Sequence, residues 1–97
     1  MSKQLFVSDL AEQDLQSIFD YGLRQFGVQQ AEQFIDKFQE AFSLLCEFDI
    51  GTIENNISPD LFRYVLGHYV IFFTRNEELV KVVRVLHGSR DVKRQFS

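Results

Sequence analysis

The sequence is short of the residues that cross-link and punctuate a chain: of 97 residues, one is cysteine, one is proline and none is tryptophan. A single thiol excludes an internal disulfide and fits a reducing cytoplasm. It lies in the apolar run Leu44-Leu45-Cys46 and reads as a buried structural thiol. No stretch approaches the roughly 20 apolar residues that a membrane-spanning helix requires. Met1-Ser2-Lys3-Gln4 leads to an apolar run of three residues, too short for the core of a secretory leader. Two histidines and one cysteine, far apart along the chain, give no metal-ligand spacing. Five scattered glycines give no phosphate-cradling loop. No metal, cofactor, catalytic residue or membrane association is therefore expected.

Phenylalanine is what the sequence has in excess, with eleven residues beside three tyrosines. Phe brings large apolar area with no polar group to satisfy, so a core forms readily and any surplus can serve a partner surface. At this length the expectation is one domain over residues 1–97, burying roughly 60–65% of its unfolded surface and leaving no room for a deep internal cavity. Charge is unevenly spread. Residues 1–60 carry eleven acids and three bases, net −8, whereas residues 61–97 carry three acids and seven bases, net +4. An acidic half facing water and a basic half facing something anionic is one reading, and chance segregation is the other.

Local patterns divide the chain without repeats. Gln4-Leu5-Phe6-Val7 reads as a strand. Asp9 followed by Glu12 has the spacing of a capping box and predicts a helix start. Ala11, Leu15, Ile18 and Gly22 share one helical face, widened by Phe19 and Phe26, and Gly27 ends it. A second stripe, Ala31, Phe34, Ile35, Phe38, Ala41, Phe42, Leu45 and Phe48, predicts a helix of about five turns folding back on the first. Asp49 to Asp60 reads as a loop around Pro59. Three strands follow: Phe62–Leu66, Tyr69–Thr74 after a Gly67-His68 turn, and Leu79–Leu86 after the polar Arg75–Glu78. The last is apolar on both faces except at Lys81 and Arg84, which places it inside the sheet. The tail from His87 to Ser97 is polar and basic, with room for a helical turn. The expected fold is α+β, order βααβββ: a helical hairpin on one face of a mostly antiparallel four-stranded sheet, with the other face and the tail open to a partner.

Two segments carry a family resemblance. One is Asp14-Leu15, Ile18, Tyr21, Gly27, Gln30-Ala31 and Phe34, before a helix ending near Phe48. The other, more specific, is Arg84-Val85-Leu86-His87-Gly88-Ser89-Arg90-Asp91, preceded by Phe62-Arg63 and Tyr69-Val70-Ile71-Phe72-Phe73. Together they resemble the RelE/ParE superfamily of bacterial toxins, on its ParE branch, over almost the whole chain. That resemblance implies the βααβββ fold and a cognate antitoxin, ParD-like or another DNA-binding protein, that wraps the toxin in a hetero-oligomer and is its only route to DNA. For the ParE branch it implies DNA gyrase as the target, and for the RelE branch messenger RNA in the ribosomal decoding site.

Cleaving RNA needs a proton acceptor for a ribose hydroxyl, a donor for the leaving oxygen and cations on the phosphate. None of the three tyrosines lies in the tail. Asn55 and Asn56 stand where a lysine cluster would precede the strands, and a chain at −4 is ill-suited to a ribosome. All three absences favour the gyrase branch. The candidate target-contacting residues are Arg63, Arg84, His87, Arg90, Lys93, Arg94 and Phe96. Several have a plainer alternative. Arg84, between Val83 and Val85 on an interior strand, must be paired if buried, in a structural ion pair or on tail carbonyls. His87, at a strand end, is an acid–base candidate or a ring packed at the sheet edge. Arg63 admits either reading, and Arg90, Lys93 and Arg94 form a basic patch that is either solvated or docked on an acidic protein groove.

Overall fold

The computed structural model describes residues 2–88 and Phe96. In chain order the elements are β1 (Gln4–Val7), α1 (Asp9–Phe26), α2 (Val28–Glu47), β2 (Thr52–Ile53), β3 (Phe62–Leu66), β4 (Tyr69–Arg75) and β5 (Leu79–His87). They form an α+β fold in which the sheet runs β1-β5-β4-β3-β2. β1 lies parallel to β5, and the other neighbours are antiparallel. The sheet thus has five strands and not the expected four. Thr52–Ile53 pairs with Arg63 and Phe62 inside the segment read as loop, because two residues are too few to show an alternating pattern.

Ser8 caps α1, accepting from the Ala11 N–H at 3.1 Å, so the cap falls one residue before Asp9. Asp9 and Glu12 instead occupy the first turn, where negative charge suits the helix dipole. The helices meet at Gly27, whose φ of 90° is open to glycine and strained for other residues. Their close approach uses small residues: a methyl group on Gly22 would sit 3.6 Å from the Ala31 Cβ.

The helix-side core joins Ala11, Phe38, Ala41, Phe42, Leu45 and Cys46 to Ile71, Phe73, Val80, Val82 and Val85 of the sheet. Burial pushes the Cys46 thiol pKa up; nearby Lys3 opposes this and Glu47 adds to it. Phe26 and Phe48, in phase with the stripes, are more than half exposed, because each lies at a helix end beyond the cover of the sheet. The opposite sheet face is not open as expected. Leu61, Val70, Phe72 and Leu86 are buried there beneath Ile57 and Phe96, and the Phe96 ring meets Phe72 edge-on at 5.2 Å.

A bulge in β5 sets which residues face which layer. Phe72 pairs with Arg84 and Phe73 with Val82, leaving Val83 without a partner on β4. Val82 and Val85, three apart, consequently both face the helices, which a regular strand forbids.

The segment before β3 is pinned at Gly51, where φ is 97° and an added Cβ would lie 2.9 Å from both the Arg63 carbonyl oxygen and the Phe73 ring. Gly51→Ala therefore combines backbone strain with a clash against rigid neighbours and is expected to cost about 2 kcal/mol or more. Urea denaturation followed by circular dichroism measures the loss.

Candidate functional site

β5 is longer than β1, and the edge it leaves uncovered is completed by side chains. β1 ends with the Ser8 N–H donating to the Val82 carbonyl at 2.9 Å. The Ser8 hydroxyl then donates to the Val83 carbonyl at 2.7 Å, and one turn and a half into α1 the Asp14 carboxylate accepts the Val85 N–H at 3.0 Å. The same carboxylate receives two bonds from Arg84, Nε at 2.8 Å and Nη2 at 2.9 Å. Both side chains are largely buried, about one-seventh exposed. The pair raises the Arg84 pKa above its ordinary value, through the hydrogen bonds first and the charge of Asp14 as well, against the opposing effect of burial. Arg84 thus takes the role of a structural ion pair, one of its two expected readings.

Beyond this clamp, α1, the start of α2, the β3–β4 turn and the end of β5 enclose an open cleft of about 780 Å³. Tyr69 organises its floor. Its ring meets Phe34 edge-on at 5.6 Å and Phe38 at 5.9 Å, and on its other side meets His87 at 5.3 Å. His87 in turn lies parallel to His68 of the turn, ring centres 6.0 Å apart. The pairing of Tyr69 with His87 across β4 and β5 fixes this arrangement. Tyr21, Arg24 and Phe26 line the α1 side. Arg24 comes from the last turn of α1, where a cation suits the dipole. Aromatic walls beside an arginine and two imidazoles can receive an anionic group flanked by apolar ones.

The candidate residues are only partly brought together. Arg84 and His87 share the cleft. Arg63 lies on β3 opposite Thr52, away from the cleft, with Glu54 at 3.4 Å and its side chain 41% exposed. Phe96 sits on the far face of the sheet. Arg90, Lys93 and Arg94 lie outside the described residues, as does any helical turn they form. Sequence reading missed Asp14 as the partner of Arg84, 70 residues away, and missed His68, Tyr69 and Arg24 as cleft residues. The β4–β5 register could have joined Tyr69 to His87; nothing local in the sequence points to Asp14.

Removing one half of the clamp strips charge-assisted bonds from the other. Asp14→Ala leaves Arg84 without that carboxylate and the Val85 N–H without its acceptor, an expected loss of about 3 kcal/mol or more. The double variant Asp14→Leu/Arg84→Met should be closer to the parent than Asp14→Ala, since it removes the largely buried charge together with its carboxylate. Denaturant midpoints of the three proteins, measured at equal slope, check the order.

Comparison with known proteins agrees with this architecture. The family model described as the ParE toxin of the type II toxin–antitoxin system parDE matches residues 5–92. Toxin ParE1 of Mycobacterium tuberculosis is 32% identical over 98 residues, covering 99% of this chain and all of the relative. Toxin ParE1 of Caulobacter vibrioides is 28% identical over 88 residues, covering 90% and 91%. A solved chromosomal ParDE toxin–antitoxin system from P. aeruginosa superposes with a TM-score of 0.78 over 89% of this chain and 96% of that one, at 16% identity, and so shares the fold. The matched region takes in the Asp14–Arg84 clamp, the cleft and all of the sheet but Gln4, and the chain belongs to the ParE family, the toxins of type II toxin–antitoxin systems.

Proposed function

We propose that the chain arrests growth by inhibiting DNA gyrase as a protein ligand, without chemistry of its own, and that a cognate DNA-binding antitoxin of the ParD kind holds it inactive in a hetero-oligomer. Membership of the ParE family supports the toxin and antitoxin parts of this reading. The observation that carries the choice of target class is the Asp14–Arg84 pair. An RNA-cleaving site needs strand cations turned toward a phosphate, and here the interior strand arginine gives two of its nitrogens to a carboxylate of its own chain. Arg63, the other strand arginine considered, lies apart from the cleft beside Glu54.

The basic character of residues 61–97 supports a target contact made by the end of the chain. Arg90, Lys93 and Arg94 supply charge for an acidic protein groove, with Phe96 as an apolar anchor. Arg24 supplies a cation at the cleft. The setting is the cytoplasm, where gyrase and antitoxin meet; among the described residues no helix is long and apolar enough to cross a membrane.

Purified toxin added to a gyrase supercoiling reaction, in parallel with a ribosome-dependent messenger RNA cleavage reaction, tests the proposal. Supercoiling is expected to fall while transcripts stay whole. Cleaved transcripts with normal supercoiling would overturn it in favour of the RelE-type ribonuclease.

The tail has its own test. Because Phe96 also packs on Phe72, deleting residues 92–97 alters charge and sheet cover together. Lys93→Gln/Arg94→Gln removes two positive charges, keeps most of each side chain's length and leaves Phe96 in place, and should relieve growth arrest on induced expression. Phe96→Ala separates the apolar contribution. Full arrest by both variants and by the deletion would remove the tail from the inhibitory surface.

A further inference from the structure

On the sheet face turned away from the helices, two strand cations flank one aromatic residue. Phe72 and Val70 belong to the small apolar layer on that face. Arg63 stands directly opposite Phe72 across β3 and β4, and Val65 opposite Val70. Opposed residues of an antiparallel pair share a face, so Arg63 and Val65 lie on this one too. Lys81 joins them from β5. Its neighbours Val80 and Val82 are in the helix-side core, and it pairs with Thr74, the next residue of β4 on the Phe72 side. Phe72 thus sits on the strand between Arg63 and Lys81, and the Phe96 ring rests on it edge-on at 5.2 Å.

Both cations keep charge to offer. Among the described residues Arg63 gives one nitrogen, Nη1, to Glu54 at 3.4 Å, and its side chain stays 41% exposed. A guanidinium has five N–H donors, so the rest remain available. Lys81 is exposed, and its ammonium lies 5.7 Å from the Phe6 ring centre. Arg94 and Lys93 precede Phe96 by two and three residues. A chain advances at most about 3.6 Å per residue, so seating Phe96 keeps their Cα atoms within about 7 and 11 Å of its own by any path. The other end of the tail is tied as well, where the Gly88 N–H donates to the His68 carbonyl at 2.8 Å.

We infer that the seating of Phe96 on Phe72 assembles one cationic interaction surface, Arg63 and Lys81 with Lys93 and Arg94, and that its partner is an acidic face of a folded protein. This rests on the proposed function, in which that protein is gyrase. Phe96 and Phe72 act inside the molecule as positioning residues: they hold two tail charges beside two strand charges before the partner arrives, which lowers the ordering cost of binding. The charge balance favours a protein over a nucleic acid. A long polyanion meets the whole chain, at −4, whereas a protein face meets the patch alone. Apolar surface accompanies the charges, with Val65 two residues from Arg63 at 56% exposure and Phe6 beside Lys81 at 51%. Cations set among exposed apolar groups are what a protein interface uses.

The concentration of purified full chain that halves gyrase supercoiling tests the surface, with circular dichroism and the denaturant midpoint of each variant as folding controls. Arg63→Gln and Lys81→Gln should each raise that concentration at least about threefold, and the potency of the parent should fall as salt rises. Phe72→Leu keeps the layer apolar but removes the ring contact, and should cost about two- to tenfold. In the Lys93→Gln/Arg94→Gln background it should cost nothing further, because it acts through those two charges. Phe96→Ala repeats the cycle with a variant that leaves the sheet intact. Parental potency in both Arg63→Gln and Lys81→Gln would overturn the inference. So would equal losses from Phe72→Leu and Phe96→Ala in the two backgrounds, the result of a merely structural seat or of Phe96 touching the target itself. Fluorescence anisotropy with labelled duplex DNA and single-stranded RNA should show no binding that Arg63→Gln weakens; such binding would assign the surface to a nucleic acid. Scoring the same variants for growth arrest on induced expression separates this inference from the reading beneath it. A chain that arrests growth but spares supercoiling removes gyrase alone, and the growth cycle then decides the surface. A chain that does neither overturns both.

Discussion

A strand that outruns its neighbour leaves backbone groups that must be satisfied, and the rest of this molecule is arranged around that debt on β5. β1 stops at Val7, and β5 continues to His87. The Ser8 hydroxyl and the Asp14 carboxylate fill the vacant places on the exposed edge, so α1 lies where further strand would otherwise run. The Val83 bulge belongs to the same solution: it shifts the facing of β5 by one residue and keeps Val85 in the helix-side core. Because Asp14 also holds Arg84, the position of α1 relative to the sheet is fixed by charge-assisted bonds with defined direction and not by apolar packing alone. The cleft inherits its width from that fixed distance.

The excess of phenylalanine divides among several tasks. Phe38, Phe42 and Phe73 fill the space between helices and sheet, whereas Phe72 and Phe96 build a second, smaller apolar layer on the reverse. Phe34 walls the cleft, and Phe6, Phe26 and Phe48 remain substantially exposed. With both sides of the sheet covered, little apolar sheet face is left open among the described residues.

Element order was legible in the sequence because periodicity is a local property. The α1 and α2 stripes, the Gly67-His68 turn and the interior character of Leu79–Leu86 all emerged from neighbours within a few residues of one another. What stayed hidden depends on distance or on very short signals. Ser8 and Asp9 are both good caps, and only the bond from Ser8 to Val83, 75 residues away, explains why the first is used. Phe26 and Phe48 carry the right phase, but phase does not say where the opposing sheet ends. Of the candidate site, Arg84 and His87 were found as residues, but the cleft that joins them to Tyr69 and His68 is a product of strand register. The partner of Arg84 could not be picked from among eleven acids in residues 1–60 by composition.

The segment between α2 and β3 is held at its start by Arg75, whose guanidinium bonds the Ile50 carbonyl at 2.7 Å and lies 4.1 Å from the centre of the Phe62 ring. With Gly51 wedged against Phe73 immediately afterwards, the chain has no slack until it passes Ile53. Relatives that acquire extra residues in this connection therefore have one place to put them, around the exposed Asn55-Asn56, and a peptide tag or fluorophore inserted there would ride on the surface without disturbing the sheet.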